Sequence, residues 1–225
     1  MSLTLSIYDL FAYAIPGSLY LVLLVYVGDR LGWVSAQGAT DLSPSILLIG
    51  AAVASYLLGH LTYQLGRFVE SALPGSGRVI SNGQRGFLAY ASGSKAKSVI
   101  ESDPYFLFAA ALMRAKEAAL EVSRFRAGAL MLRNSVPALI LALVLSLVEV
   151  VGGENRLLAG CSSALFLAGA VAALRHSREQ AIWAVERTFQ IAYWMAEEDS
   201  KKEEAVNAPV GKRKWSGRRL TDWFR

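Results

Sequence analysis

Residues 43–68 read SPSILLIGAAVASYLLGHLTYQLGRF, and this stretch decides the fold. From residue 46 to residue 65 it contains no Asp, Glu, Lys or Arg, and His60 is its one histidine. A helix that crosses the hydrocarbon core of a bilayer needs about 20 predominantly apolar residues, which is the length of this run. The stretch therefore predicts a transmembrane helix.

The rest of the chain agrees with a membrane protein. Of its 225 residues 54% are hydrophobic and 18% are charged, with a mean hydropathy of +0.36, which is more apolar than a soluble domain of this length. Three further apolar runs occupy residues 10–28, 136–148 and 157–174. The run 136–148 is short, and it spans if Arg133 extends to the membrane interface. We predict an all-α polytopic membrane protein with four transmembrane helices and cytoplasmic helical extensions.

The basic residues predict the orientation of these spans, because Lys and Arg near span ends are retained on the cytoplasmic side. Residues 67–135 hold 10 and residues 175–225 hold 11 of the 23 basic residues in the chain. Arg30 and Arg156 alone lie in the two segments on the other side. We therefore expect both termini to be cytoplasmic. The first run lacks the positively charged n-region of a signal peptide, which favours a retained span.

Small residues form stripes on two of the predicted spans. In the second span Ala52, Ser55, Gly59, Thr62 and Gly66 recur at intervals of three and four residues. In the fourth span Gly160, Ala164, Ala168 and Ala172 recur at intervals of four. Such stripes allow a second helix to approach closely. Two of them exceed the need of one four-helix monomer, so we predict a homo-oligomer, with a tetramer favoured.

A polar stripe follows the same second span. Tyr56, His60, Gln64 and Arg67 project within a narrow arc and occupy only the cytoplasmic half of the helix. One interpretation is that these groups make hydrogen bonds between packed helices. The other is that they line a water-filled path, since ionisable groups inside membranes usually face the protein interior or a cavity.

Two other positions within the spans interrupt an apolar pattern. Pro16 and Gly17 predict a bend in the first span that a neighbouring helix covers, either as a static kink or as a hinge for gating. Glu149 lies near the outer end of the third span, where we expect it to mark the interface and to pair with Arg156.

The predicted organisation has six parts. A first transmembrane hairpin (1–66) is followed by a basic, Gly- and Ser-rich cytoplasmic insertion (67–103), a cytoplasmic helix (104–135), a second transmembrane hairpin (136–174), an amphipathic cytoplasmic helix (175–197), and a flexible linker with a basic aromatic tail (198–225).

The cytoplasmic parts carry two candidate binding regions. The insertion reads as loops and short irregular structure, and its cations Arg78, Arg85, Lys95 and Lys97 suit a nucleotide or oligonucleotide ligand or anionic headgroups. The helices 104–135 and 175–197 are expected to pack antiparallel as a stalk, with Asp103 capping the first.

The tail is the second candidate binding region. It interleaves cations with aromatic side chains, which suits an anionic membrane surface, with nucleic acid as the alternative. Its candidate membrane-surface residues are Lys212, Arg213, Trp215, Arg218, Arg219 and Trp223.

No catalytic constellation is present in the sequence. It has two histidines, one cysteine (Cys161), no HExxH and no GxSxG. We expect neither an enzyme, nor a cofactor, nor a metal site.

The chain resembles small four-span bacterial membrane proteins of anti-phage defence systems. The resemblance is architectural, covers about residues 1–175, and is carried by the N-terminal YDLFAYAIPG, the N-in four-span layout and the basic insertion. Such families include membrane effectors of cyclic-oligonucleotide and Hailong-type systems and the Kiwa membrane subunit. The resemblance implies a bacterial inner-membrane protein. Its function is either that of a ligand-gated effector that perturbs the membrane, or that of a sensor or scaffold that recruits a soluble partner.

Overall fold

The computed structural model describes residues 3–33, 43–72, 78–153 and 155–207, which form α-helices and no strand. In chain order the helices are α1 (Leu3–Arg30), α2 (Pro44–Leu61), α3 (Tyr63–Ala72), α4 (Val79–Tyr90), α5 (Ser94–Glu101), α6 (Pro104–Arg114), α7 (Lys116–Gly152) and α8 (Arg156–Asn207). Four stretches within them are long and apolar enough to cross a membrane: Leu10–Arg30, Pro44–Ala72, Lys116–Gly152 and Arg156–Glu204. The prediction of four such helices is confirmed.

Helix starts follow local capping rules. The Ser43 hydroxyl accepts a hydrogen bond from the Ile46 backbone N–H at 3.4 Å, and Pro44 occupies the first helical position of α2. The Asp103 carboxylate accepts from the Tyr105 backbone N–H at 2.8 Å, with Pro104 next to it. Both arrangements satisfy backbone donors that the helix leaves unpaired. The predicted helix start at Asp103 is confirmed.

The two longest helices form an antiparallel hairpin that organises the molecule. At 37 and 52 residues, α7 and α8 reach about 55 and 78 Å at ~1.5 Å per residue. Gly128 lies against the side chain of Gln180, and the rings of Phe125 and Trp183 are 5.9 Å apart. The predicted antiparallel packing is therefore confirmed. We call the end of the bundle near the α7–α8 connection the turn end, and the end where the stalk begins the stalk end.

A second hairpin, α1 and α2, packs on the first through α1. A Cβ atom built on Gly17 would overlap the carbonyl oxygen of Ser55, and one built on Gly59 would overlap that of Tyr13. Pro16 is fully buried, so a neighbouring helix covers it as predicted. Helix α1 also packs along α7. Helix α2 has its main contacts with α1 and a small contact with α3. Helix α2 therefore lies at the edge of the bundle.

Most of the described part of the basic insertion is helical, and the prediction of loops at Val79–Tyr90 and Ser94–Glu101 is wrong. Helices α4 and α5 pack against the part of α8 that extends beyond the bundle. Phe87 and Phe189 are fully buried with their ring centroids 5.8 Å apart. A Cβ atom on Gly83 would lie 2.6 Å from Val185 Cγ1. The glycines that suggested loops thus permit α4 to approach α8 closely.

Two further boundaries differ from the predictions. The predicted helix 104–135 is broken at Ala115, because α6 folds back to bury Ala111 against Ala119 and Ile191. The predicted flexible linker is helical as far as Asn207. Pairs at i and i+4 support that helix, namely Glu197 with Lys201 and Glu198 with Lys202, each at 2.7 Å.

Candidate functional site

Polar and aromatic side chains from three helices meet at the stalk end of the bundle. The ring of Tyr13 on α1 lies with its centroid 5.0 Å from that of His60, 6.2 Å from Tyr56 and 6.2 Å from Tyr63. The Tyr56 and His60 rings are stacked at 6.4 Å. We call these four residues the aromatic cluster.

The cluster continues into a charged pair on neighbouring helices. The guanidinium of Arg133 on α7 lies 5.2 Å from the centroid of the Tyr63 ring, a cation–π geometry. The Nη1 group of Arg133 donates to Glu70 on α3 at 2.9 Å, and both side chains are mostly buried. The aromatic cluster is thus tied through Arg133 to the point where α3, α7 and α8 meet.

The structure divides the predicted pore-lining residues into two groups. Tyr56 and His60 belong to the aromatic cluster, although each retains an exposed edge. Gln64 and Arg67 are exposed on the outer face of the bundle. Two cavities are described below, a cleft at the turn end and a narrow crevice beside Glu70 and Arg133. None of the four predicted pore-lining residues lines either of them. In the part of the chain that the structure describes, all four residues are therefore open to the outside of the bundle.

The predicted helix-packing residues also divide into two groups. Ser55, Gly59 and Gly66 are buried within the chain, and a Cβ atom on Gly66 would lie 3.2 Å from the Asn134 Cα atom of α7. By contrast, a Cβ atom on Gly160 meets nothing within 4 Å, and Ala164 is exposed. The α8 stripe therefore faces outward in the single chain.

The four cations predicted to bind a ligand lie at α4 and α5. Arg78, Arg85 and Lys97 are exposed, and Lys95 donates to the Ser200 hydroxyl of α8 at 2.8 Å. Arg78 precedes α4 and Arg85 lies on it, whereas both lysines lie on α5. None of the four lines the cleft at the turn end or the crevice beside Arg133, which are described below. Their role as ligand-binding residues stays a prediction. The predicted membrane-surface residues of the tail, from Lys212 to Trp223, lie outside the described residues.

A cleft of about 860 Å³ opens at the turn end between α1, α7 and α8. Arg30 forms an ion pair with Glu149 there, and the Tyr26 hydroxyl donates to the same carboxylate at 2.8 Å. The expected pairing of Glu149 with Arg156 is therefore wrong. Helix α1 runs parallel to α7 and brings Arg30 to this position, whereas Arg156 begins the next helix.

Sequence reasoning missed Tyr13 and the pairing of Glu149 with Arg30. The position of Tyr13 depends on the register between α1 and α2, which the close approach at Gly17 and Gly59 sets, and the ion pair depends on how α1 packs along α7. No motif within α1 signals either contact.

Comparison with known proteins identifies no relative. No protein-family model matches the chain, and no curated protein or solved structure matches it.

Proposed function

We propose that this chain is a homo-oligomeric integral protein of the bacterial inner membrane, taken as a tetramer with both termini in the cytoplasm. In the proposal it acts as a ligand-gated effector of anti-phage defence that perturbs the membrane. The polar face of α2 and α3 lines a path between copies, and the stalk with α4–α6 forms the cytoplasmic part that controls it.

The observation that carries this proposal is the position of the polar stripe. Tyr56, His60, Gln64 and Arg67 lie on helices at the edge of the bundle and are exposed. Ionisable and polar groups that face lipid at membrane depth are costly, so they usually face protein or water. A second copy of the chain that covers this edge would supply both a protein surface and a water-filled path for these groups to face.

The order of the helices supports a ring of copies. Helix α2 contacts α1, α1 contacts α7, and α7 contacts α8, so α2 and α8 lie at opposite ends of this row. The outward stripe with Gly160 and Ala164 on α8 allows another helix to approach. Contact between α8 of one copy and the edge of the next would be heterologous, and such contacts form a closed ring when the rotation between copies divides a full turn.

A second function is favoured by a separate observation. Large apolar side chains are exposed on the part of the chain beyond the bundle, including Tyr105 at 72%, Phe106 at 74% and Trp194 at 54%. Exposed aromatic groups of this size are typical of protein-binding surfaces. The alternative proposal is therefore a membrane-anchored sensor or scaffold that recruits a soluble defence partner and conducts no ions.

Cysteine accessibility tests the path. The exposed Cys161 is first replaced by Ala, and single variants Tyr56→Cys, His60→Cys and Gln64→Cys are then treated with a membrane-impermeant thiol reagent. Leu57→Cys and Leu61→Cys are matched controls, because Leu57 and Leu61 are 55% and 75% exposed on the apolar side of the same helix. We expect labelling at 60 and 64 and protection at 57 and 61.

The same variants separate the two functions. Protection at both 60 and 64, or equal labelling at all five positions, contradicts the path. Ion flux through reconstituted vesicles that changes in His60→Leu supports the effector. Labelling at 60 and 64 without any flux favours the scaffold.

A further inference from the structure

The stalk end contains a narrow crevice at the junction of α3, α7 and α8. Glu70, Arg133, Ser177 and Arg178 are among the residues that line it. Its volume is about 10 Å³, which is the space of roughly one water-sized sphere. It therefore admits one or two oxygen atoms of a ligand, with the rest of the ligand outside.

Two arginines present the same unpaired edge in this region. The Nε and Nη2 atoms of Arg133 are buried and lack a hydrogen-bond partner among the described residues, and so are the Nε and Nη2 atoms of Arg178. These two nitrogens form one side of the guanidinium plane, which is a fork that binds two oxygens of a carboxylate or phosphate. The opposite side of Arg133, through Nη1, is already bonded to Glu70.

A third unpaired group lies next to them. Asn134 is fully buried, and neither its Nδ2 nor its Oδ1 atom has a partner among the described residues. Buried polar groups are nearly always hydrogen-bonded, and a buried charge without a partner is costly. Five buried nitrogen donors without acceptors are thus concentrated at one junction.

The charge at the crevice selects an anion. Arg133 and Arg178 contribute two positive charges, and Glu70 contributes one negative charge. Of the other titratable groups nearby on α8, Arg175 is exposed and His176 bonds Glu179 at 3.2 Å. The excess of one positive charge and the two forks favour a tetrahedral oxyanion with several accepting oxygens.

The position of the crevice along the helices indicates where such an anion comes from. Arg133 precedes the apolar run 136–148, and Arg178 follows the apolar run 157–174. Both arginines therefore lie where the apolar part of the bundle ends. Basic pockets between helices at this level bind phosphate-bearing lipid headgroups.

We propose that the crevice formed by Arg133, Arg178 and Glu70 is a phosphate-binding site, in which the two arginine forks hold the oxygens of a phosphate group. The group is carried by an anionic lipid of the inner leaflet or by a free phosphate compound. The lipid source rests on the proposed membrane insertion, whereas neither source rests on pore formation.

The test uses thermal unfolding of the purified chain in a non-ionic detergent. Phosphatidylglycerol, phosphatidylcholine or inorganic phosphate is added in increasing amounts. The first variant, Arg178→Gln, removes both the Nε/Nη2 fork and the positive charge. The second, Arg178→Lys, removes the fork and keeps the positive charge. Arg175→Gln is the control, because Arg175 is exposed one turn away on the same helix.

We expect phosphatidylglycerol to raise the unfolding midpoint of the wild type and of Arg175→Gln, and phosphatidylcholine to do so less. In Arg178→Gln the concentration for half of this effect should rise at least about tenfold, as for the loss of a charge-assisted bidentate contact. Arg178→Lys should fall in between. A matching response to inorganic phosphate assigns the site to free phosphate compounds, and its absence assigns it to lipid.

Two results would overturn the site. One is an equal loss of response in Arg178→Gln and Arg175→Gln, which indicates general surface charge. The other is a wild type that responds neither to inorganic phosphate nor more strongly to phosphatidylglycerol than to phosphatidylcholine. The second result needs no variant, so it decides the matter even if Arg178→Gln does not fold.

Discussion

The small-residue stripes of α2 and α8 look alike in sequence, but the α2 stripe faces a neighbouring helix and the α8 stripe faces outward. In α2, Ser55 and Gly59 face α1 so closely that a Cβ atom on Gly59 would overlap the backbone of Tyr13. In α8, Gly160 meets nothing within 4 Å and Ala164 is exposed. The same spacing therefore builds the inside of one hairpin and leaves an open face on another.

A small-residue stripe specifies that a helix can approach closely, but not which chain that helix belongs to. Spacing of three or four residues shows that a helix can be approached closely. It does not say whether the approaching helix belongs to the same chain. The small-residue stripe of α2 packs within the chain, so of the two stripes only that of α8 is open to a second copy.

The largest effect is expected from Gly59→Leu. The new side chain would collide with the Tyr13 backbone, which cannot move without separating α1 from α2. We expect a loss of at least about 3 kcal/mol of stability, measured as a lower unfolding midpoint and a lower yield of monodisperse protein in detergent.

The control for this substitution lies on the same helix. A Cβ atom on Gly50 meets nothing within 4 Å, so Gly50→Leu should leave the midpoint close to that of the wild type. If Gly59→Leu is as stable as Gly50→Leu, the inward position of the α2 stripe is wrong.

A smaller and different effect is expected from Gly160→Leu. Because this position is open in the single chain, the substitution should not unfold it. If copies meet on the α8 stripe, a leucine there should separate them, and the particle mass measured by light scattering in detergent should fall. An unchanged mass in Gly160→Leu, with a wild type larger than one chain, would exclude the α8 stripe as the contact.

The parts of the fold that were predicted are those with a local signal. Four apolar helices follow from run length, the start of α6 follows from Asp103 and Pro104, and the stalk follows from helix-forming sequence on both sides. Helix α4 was missed because it contains Gly83 and Gly86, and glycine lowers intrinsic helix propensity by about 1 kcal/mol. Helix α5 has only 8 residues, too few for a clear periodic pattern. What stabilises α4 is the close fit of Gly83 against Val185, which is 102 positions away in the numbering of the chain.

The candidate site shows the same division between local and distant signals. The spacing of four between Tyr56 and His60 predicted that the two rings share a face, and they are stacked. Tyr13 could not be assigned to them, because its position depends on how α1 and α2 are aligned. The unpaired forks of Arg133 and Arg178 are likewise invisible in sequence, since burial and the direction of each guanidinium appear only when α7 and α8 pack.

The finest test of the α8 orientation compares two adjacent residues, Ser163 and Ala164. The Ser163 hydroxyl lies 2.9 Å from the Ser146 hydroxyl and 2.9 Å from the Ala159 carbonyl oxygen, and it is buried between α7 and α8. Ser146 itself donates to the Ala159 carbonyl at 2.8 Å, so it keeps its own bond when Ser163 is replaced. Ser163→Ala should therefore cost only about 0.6 kcal/mol, the average for hydrogen bonds between membrane helices.

Ala164→Ser is the matched change in the opposite direction, on the face that points outward. It adds a hydroxyl that can bond its own helix backbone, so the cost should be only that of lower helix propensity, about 0.5 kcal/mol or less. The two variants are compared by thermal unfolding at a detergent concentration that keeps the protein monomeric. A loss in Ala164→Ser well above about 0.5 kcal/mol would mean that α8 is rotated from the orientation described, and the outward stripe would then lie inside the hairpin.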